Sequence, residues 1–522
     1  MLACSLRAAA RAAPLNRAPT LAKRLTASPR RTMAAAAAAA APSVKQDYDA
    51  LCKKLKEVSA LSGINGLLGW DEMVQLPPNA VNARAAQKAA LAGVLHEKQT
   101  EAEIGQLLQR LQAANLEAEG LNEFERATVR EAARDYRKLT AVPKELAQRE
   151  AELESQGYQA WARLVDPSRP VYDILLDDYE KGVTAARLDE IFGQVKAGLV
   201  PLLADLRARG KAPSDAWLKG DYDTKKQAEL CHKIAVALGF SLDSGRLDVS
   251  VHPFTGGAHP TDVRMTTRFK QEDLTEGITG AIHETGHALY EQGRNLEYDG
   301  LPVNQALGMG VHESQSLLWE RMGSSEMLLL LSYLLPLMRK HFPQLPKEQT
   351  PEDLYAALNI IKEPSMIRVE SDEVTYPLHI ILRYELEKAL VEGSIEVKDL
   401  PRLWNEKMKE YLGCEPESDA RGVLQDVHWS AGLFGYFPTY SLGAMYATQI
   451  FKAAEKELPG LADDIAAGKF ERLKGWLNEK IHKVGSLPTS GDELMVAVTG
   501  APLQPQVFLD YLKDKYPALY QL

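Results

Sequence analysis

The chain has 522 residues, of which 45% are hydrophobic and 25% charged, a globular balance that excludes a largely disordered or fibrous protein. No apolar run reaches the roughly 20 residues that a membrane-spanning helix needs, so the sequence predicts no membrane-embedded protein. Residues 1–46 contain eight basic and no acidic side chains, which leaves 53 of the 61 basic residues against 71 acidic ones in the remainder. A body this acidic is a poor candidate for binding nucleic acid, which requires a basic surface.

The N-terminal segment, residues 1–46, is rich in Ala, Arg and Ser and free of acids, which is the composition of an organelle transit peptide. A secretory signal would need a continuous apolar region, and Arg7 and Arg11 interrupt the only candidate. We therefore predict a disordered targeting segment for a chloroplast or mitochondrion, followed by one domain at residues 47–522. The alternative is a basic tail on a cytoplasmic protein.

The first half of the remaining chain has the three-to-four spacing of apolar residues that predicts helices, as in Tyr48, Leu51 and Leu55. Further helices are predicted over residues 101–114, 123–139, 144–164 and 184–209, with Thr184 as the N-cap of the last. Between residues 245 and 269 the pattern changes. Two roughly alternating segments, 246–251 and 263–269, flank a Gly-Gly pair at 256–257 and predict a small antiparallel β element. Helical periodicity then returns, so the predicted fold class is mainly α.

Residues 283–287 have the pattern H-E-x-x-H. His283 and His287 are four residues apart and therefore lie on one face of a helix, where both imidazoles can bind the same metal ion. Glu284 is next to the first histidine and can accept a proton from a water molecule without occupying a coordination position. Apolar neighbours such as Ile282 and Leu289 favour a buried helix over a solvent-facing one that matches by chance.

A catalytic zinc ion needs a third protein ligand and an open position. Glu313 lies 26 residues beyond His287, a distance that allows a second helix to pack against the first and present a carboxylate. His312 is the competing ligand, but on a helix it points about 100° away from Glu313. We therefore predict a metal site formed by His283, His287 and Glu313.

Five motifs, in this order, resemble those of the carboxypeptidase Taq family of zinc metallocarboxypeptidases. They are D-x-R-x-T at 262–266, H-E-x-x-H at 283–287, H-E-S-Q at 312–315, the start of I-R-x-x-A-D at 367–368 and G-x-x-Q-D-x-H-W at 422–429. The resemblance spans about residues 47–522. Two positions depart from the family pattern: Ser371 replaces the usual Ala, and Ala444 stands where Asn is common.

The resemblance implies a large, helical, saddle-shaped body with a deep active-site groove. It further implies a homodimer that binds one Zn²⁺ ion per subunit, with Co²⁺ as the alternative metal. The implied activity is removal of single residues from the C-termini of peptides.

An exopeptidase must bind the terminal carboxylate of its substrate, and an arginine does so through two parallel hydrogen bonds. Arg368, in the matched motif, is the first candidate, and Arg264, on a predicted strand that could also align the substrate by edge addition, is the second. A structural ion pair is the alternative role for either arginine. For Arg368 the candidate partners are Glu370, Asp372 and Glu373.

The oxyanion that forms during hydrolysis also needs hydrogen-bond donors. His428, Tyr436 and Tyr440 lie in or after the last motif, and related folds use a late tyrosine or histidine for this role. Core packing is the alternative for the two tyrosines. Metal-binding histidines need acceptors behind them as well, and Glu320 or Asp372 could provide one.

The sequence therefore predicts a zinc-dependent metallocarboxypeptidase that acts on peptides with a free C-terminus and has no nucleic-acid or membrane partner. One alternative is a zinc oligopeptidase that cuts internally, which would need no carboxylate anchor. The other is a non-catalytic helical scaffold, which would have no physical reason to keep Glu284 beside the metal ligands.

Overall fold

The structure, a computed structural model, describes residues 42–141, 169–321 and 324–522, and these are mainly helical, as predicted. Residues 1–41 and the helix predicted over 144–164 lie outside the described residues. The helices are, in chain order, α1 (Val44–Val74), α2 (Val81–Gln99), α3 (Ala102–Ala113), α4 (Glu123–Ala141), α5 (Val171–Asp177), α6 (Ala185–Arg209), α7 (Thr224–Leu238), α8 (Thr275–Gln292), α9 (Met309–Arg321), α10 (Ser324–His341), α11 (Pro351–Leu358), α12 (Thr375–Val391), α13 (Leu400–Leu412), α14 (Pro438–Glu457), α15 (Leu461–Ala466), α16 (Glu471–Leu477), α17 (Gly491–Thr499) and α18 (Pro505–Leu519).

Three of the predicted helices correspond to α3, α4 and α6, and the hydroxyl of Thr184 caps α6 by accepting the main-chain N–H of Arg187. One large hydrophobic core runs from α5 to α18, and a smaller one joins α1, α3 and α4. Within the described residues, no helix combines the length and apolar character needed to cross a membrane.

The β element that the sequence predicted is present, but it is a three-stranded mixed sheet and not a purely antiparallel one. Its strands are β1 (Gly245–Val249), β2 (Thr255–His259) and β3 (Asp262–Thr267). β3 is central, parallel to β1 and antiparallel to β2. Its central position excludes edge addition of a substrate to the strand that carries Arg264.

The sequence prediction placed Gly256 and Gly257 between strands, but both belong to β2. They pair with Arg264 and Val263 of β3, and helix α1 packs closely on the other side of the same strand backbone through its own glycines. A Cβ atom at Gly63 of α1 would lie 2.6 Å from the main-chain oxygen of Ala258. One at Gly66 would lie 2.5 Å from the main-chain oxygen of Gly257. Gly257 itself has a φ of 149°, which a side chain would strain. The glycines that admit the close approach of α1 therefore belong to the helix, whereas Gly257 lies against β3, where a Cβ atom would be 2.3 Å from the oxygen of Asp262.

Two glycines set the position of α9, the helix that carries Glu313. A Cβ atom at Gly286 of α8 would lie 2.6 Å from the Cα of Ser316. One at Gly443 of α14 would lie 2.7 Å from the Cβ of Glu313. These distances are shorter than real Cβ contacts, so a side chain at either position would push α9 away from its neighbour. α9 is thus held between the helix of the H-E-x-x-H motif and α14.

Helix α1 begins at Val44, three residues before the predicted boundary at residue 47. Ser43 and Gln46 form a capping box at the start of α1, so residues 44–46 are helical and not part of a disordered segment. Asp47 pairs with Arg110 of α3 through two 2.8 Å hydrogen bonds, and Tyr48 is buried.

We expect a variant that lacks residues 1–41 to fold and retain full activity. Removal of residues 1–46 also deletes the cap and the first residues of α1, which should lower the free energy of unfolding by about 0.5–2 kcal/mol. Denaturant unfolding of the two truncated proteins tests both statements. Loss of soluble protein on removal of residues 1–41 would show that this segment belongs to the fold.

Candidate metal centre and active site

Three side chains from two helices converge on one point. The ligand atoms of His283, His287 and Glu313 all lie within 4.8 Å of one another. Glu313 Oε2 is 3.3 Å from His287 Nε2 and 3.9 Å from His283 Nε2. Ligands at 2.0–2.1 Å from a tetrahedral zinc ion are about 3.3 Å apart, so the spacing fits such an ion. The structure thus brings together the three predicted ligands.

His283 is oriented from behind by Glu320, whose Oε2 lies 2.7 Å from His283 Nδ1. If Nδ1 donates this bond, Nε2 presents its lone pair on the side of Glu313. Burial opposes the charged form of His283, but the hydrogen bond to Glu320 and the charge of Glu313 raise its pKa to about 9, so a metal ion would bind Nε2 in place of a proton. Asp372, the other predicted acceptor, instead accepts the main-chain N–H groups of Val374 and Thr375.

His287 is oriented through a longer chain of side chains. Its Nδ1 is 2.6 Å from Nδ1 of His312, and Nε2 of His312 is 2.9 Å from Glu291, which also accepts from Arg294 at 2.7 Å. Burial opposes ionisation of Glu291, but Arg294 and His312 lower its pKa strongly. An ionised Glu291 accepts the Nε2 proton of His312, whose Nδ1 can then accept from His287. His312, the competing ligand, therefore lies behind the site.

Glu313 is also kept ionised by its surroundings. Burial raises its pKa, but the hydrogen bond to His287 and the charge of His283 lower it to about 2. A carboxylate and two imidazoles form a donor set that suits zinc.

Glu284 follows the first histidine and is only 6% exposed. Its Oε2 accepts a 2.6 Å hydrogen bond from the hydroxyl of Thr255 on β2. A cavity of about 290 Å³ adjoins this point. It is lined by Ser59 of α1, by Thr255 and the rest of β2, and by Glu291 and His312. The side chains that hold Glu284 and His287 thus border one cavity.

A group of three tyrosines, Tyr376, Tyr436 and Tyr440, lies close enough to Glu313 for its charge to act on each of them. The ring centroids of Tyr436 and Tyr440 are 5.3 Å apart, and those of Tyr376 and Tyr440 are 5.9 Å apart. Burial, and secondarily the charge of Glu313, raise the pKa of Tyr436, so its phenol is protonated at neutral pH. Burial also raises the pKa of Tyr376, to about 12. All three are therefore hydrogen-bond donors near the metal centre.

His428 is 4% exposed, and its Nε2 is 3.2 Å from the hydroxyl of Tyr440. Burial and the charge of Arg368 lower its pKa to about 4, so the imidazole is neutral at neutral pH. The structure therefore places His428 behind Tyr440.

Arg368 is buried, and its ion-pair partner is Asp426 rather than one of the three candidates that the sequence offered, Glu370, Asp372 and Glu373. Its Nε and Nη2 donate to Asp426 Oδ1 at 2.9 and 2.6 Å, and its Nη1 donates to the hydroxyl of Tyr376 at 2.9 Å. Asp426 also pairs with Arg383 of α12 at 2.6 Å.

Arg264, the second predicted anchor, pairs with Asp262 two residues before it at 2.9 Å. Its guanidinium carbon lies 4.4 Å from the ring centroid of Trp70 on α1, a stacking arrangement that fixes the side chain at the junction of helix and sheet.

Thr255 and Tyr376 are site residues that the sequence analysis missed. Neither stands in one of the five family motifs. Each joins the site through a hydrogen bond that forms only in the folded chain, Thr255 with Glu284 and Tyr376 with Arg368. Tyr376 is eight residues beyond Arg368, but no periodic pattern links the two.

A sequence model of the carboxypeptidase Taq (M32) metallopeptidase family matches residues 50–164 and 162–516. Thermostable carboxypeptidase 1 of Thermus thermophilus is 38% identical over 508 residues, which cover 91% of this chain and 99% of the relative. Carboxypeptidase 1 of Bacillus subtilis is 35% identical over 494 residues, which cover 90% of this chain and 97% of the relative.

Solved structures show the same similarity. The M32 carboxypeptidase of Deinococcus radiodurans R1 has a TM-score of 0.85 at 33% identity and covers 91% of this chain and 100% of its own. Metallocarboxypeptidase 1 of Trypanosoma cruzi has a TM-score of 0.85 at 34% identity, with coverages of 91% and 99%. With family motifs, fold and a convergent His-His-Glu group in agreement, this chain belongs to the carboxypeptidase Taq family and is a metallocarboxypeptidase.

Proposed function

We propose that this enzyme removes single residues from the C-termini of peptides with one zinc ion per subunit, held by His283, His287 and Glu313. Glu284 is the general base in this proposal. The observation that carries it is the convergence of the three ligand atoms within 4.8 Å, with Glu284 adjacent on the same helix.

A bound zinc ion would supply Lewis-acid chemistry, which activates a water molecule and polarises the scissile carbonyl. Glu284 accepts the proton of the attacking water and passes it to the nitrogen of the leaving residue. Tyr436, whose phenol stays protonated, donates a hydrogen bond to the carbonyl oxygen as negative charge develops there. His428 acts on this region through its contact with Tyr440.

The charge balance around Arg368 supports it as the carboxylate anchor. Arg368 and Arg383 share the single carboxylate of Asp426, and the neighbouring His428 is neutral. The cluster of these four side chains therefore carries one excess positive charge. A guanidinium has five N–H donors, of which the bonds to Asp426 and Tyr376 use three. Two donors are left for the terminal carboxylate of a peptide. Arg264, paired one-to-one with Asp262, has no such excess and is the second candidate.

The homodimer and the organelle targeting are also part of the proposal. The family resemblance supports the first, and the composition of the N-terminal segment supports the second. Light scattering of the purified protein and imaging of a fluorescent fusion that retains residues 1–46 test them.

Removal of the metal provides the first test of the mechanism. A chelator should abolish hydrolysis, and one equivalent of Zn²⁺ per subunit should restore it, with Co²⁺ as the comparison metal. Mass analysis of a peptide should show products that shorten one residue at a time from the C-terminus. The C-terminally amidated peptide is the control. Internal cleavage of both peptides would favour the oligopeptidase alternative, and activity that survives full metal removal would contradict the proposal.

A further inference from the structure

The carboxylate of Glu284 is held by one side chain from the sheet, that of Thr255. Thr255 Oγ1 lies 2.6 Å from Glu284 Oε2 and 3.0 Å from the main-chain oxygen of Glu284. A threonine hydroxyl has a single proton, so it donates to one of the two at a time. The bond to the carboxylate oxygen is the shorter of the two and therefore the stronger. Thr255 therefore donates to Oε2.

This single bond divides the two carboxylate oxygens of Glu284 between two tasks. Across the described parts of the chain, no second hydrogen bond to this carboxylate is found. Oε2 is engaged by Thr255, which leaves Oε1 available to accept a proton. Glu284 is only 6% exposed, so water has little access to compete with Thr255 for its carboxylate.

The hydroxyl of Thr255 is itself held in place by the fold. Thr255, in β2, pairs with Met265 of the central strand β3, and α1 packs on β2 through Gly63 and Gly66. A β-branched side chain also has few χ1 rotamers. Strand β2 thus presents a fixed donor to the flexible side chain of Glu284.

We propose that Thr255 is a positioning residue that orients Glu284 for proton transfer. This role rests on the proposed function of Glu284 as the general base. A base must lie within hydrogen-bond reach of the proton that it accepts, and small misplacements of reacting groups lower rates strongly. Without the hydroxyl, the Glu284 carboxylate can rotate, and the fraction of molecules in the productive orientation falls.

The test compares Thr255→Val, which removes the hydroxyl at nearly constant shape, with Thr255→Ser, which keeps it. Thr255→Val should lower kcat by about 10- to 100-fold, the effect of losing a hydrogen bond to a charged group, while KM stays within about threefold. Thr255→Ser should retain kcat within about threefold of wild type. The matched control is Thr128→Val in α4, a buried threonine whose hydroxyl bonds the main-chain oxygen of Phe124. It should leave kcat unchanged.

Zinc affinity, measured by competition with a chelator, should be the same in all variants, because Thr255 contacts no metal ligand. A double-mutant comparison distinguishes an effect of Thr255 through the Glu284 carboxylate from a general structural effect of the substitution. In a Glu284→Gln background, Thr255→Val should add less than about threefold to the loss, since the group that it orients has lost its function. The additional loss is obtained from the residual turnover of both variants in long incubations, with the products measured by mass spectrometry.

Each outcome decides a different point. Near wild-type kcat in Thr255→Val, with Glu284→Gln inactive, overturns the positioning role and leaves the proposed function intact. Equal losses in the Val and Ser variants, or a full additional loss in the double variant, overturn it as well, because the hydroxyl would then not act through Glu284. High activity of the metal-loaded Glu284→Gln enzyme would instead overturn the proposed function.

Discussion

Replacement of Glu284 by glutamine is expected to lower kcat by about 10²–10⁴-fold while the metal stays bound. The amide has nearly the shape of the carboxylate, and its oxygen can still accept the hydrogen bond of Thr255. It cannot accept a proton from water, so the chemical step loses its base. His283, His287 and Glu313 are unchanged, and metal content should therefore match that of the wild-type enzyme. Steady-state kinetics with metal analysis on the same preparation check the prediction.

Glu276→Gln is the matched control for this experiment. Glu276 lies in the first turn of α8, two turns before Glu284, and pairs with Arg268 and Lys270 outside the metal centre. The same chemical change there should leave kcat near the wild-type value. Near-normal turnover of metal-loaded Glu284→Gln would assign proton acceptance to another group.

The metal site was predictable because its information is local. A separation of four residues fixes the relation of His283 and His287 on any helix, and neither tertiary contacts nor charges alter it. Glu313 required a second helix at a suitable distance, which the chain length between the motifs allowed. Close packing at Gly286 and Gly443 then determines where that helix lies. The sequence shows these glycines but not what they pack against.

The partners of the site residues were less predictable, because they come from distant parts of the chain. The sequence suggested nearby acids for Arg368, but Asp372 bonds the main chain at the start of α12, and Glu373 pairs with Lys515 at 2.7 Å. Asp426, 58 residues beyond Arg368, takes their place.

The sheet was also predicted only in part, because its contacts join distant parts of the chain. Local turn propensity assigned Gly256 and Gly257 to a loop, whereas both lie in β2, where a Cβ atom at Gly257 would be 2.3 Å from the oxygen of Asp262 in β3. Thr255 of the same strand bonds Glu284, 29 positions away, and no local pattern in the sequence links the two.

Replacement of Arg368 by alanine is expected to lower kcat/KM for peptides with a free C-terminus by at least about tenfold. A hydrogen bond to a charged group contributes about 1.5–3 kcal/mol, which corresponds to roughly 10- to 150-fold. Misplacement of the scissile bond can enlarge the loss. The amidated peptide offers no carboxylate, so the wild-type enzyme should already cleave it poorly, and the substitution should change that rate little. Paired kinetics on the free and amidated forms of one peptide measure the difference.

The variant is expected to fold, because of the same charge balance that points to Arg368 as the anchor. Removal of one partner of a buried ion pair is usually destabilising because it leaves an unpaired charge. Here Asp426 keeps Arg383 at 2.6 Å, so Arg368→Ala converts a group with one excess positive charge into a neutral pair. Arg264→Ala is the comparison, since Arg264 is paired one-to-one with Asp262 and should affect free and amidated peptides alike. If Arg368→Ala also slows both peptides equally, Arg368 is a structural partner of Asp426. A selective loss in Arg264→Ala would then identify Arg264 as the group that binds the terminal carboxylate.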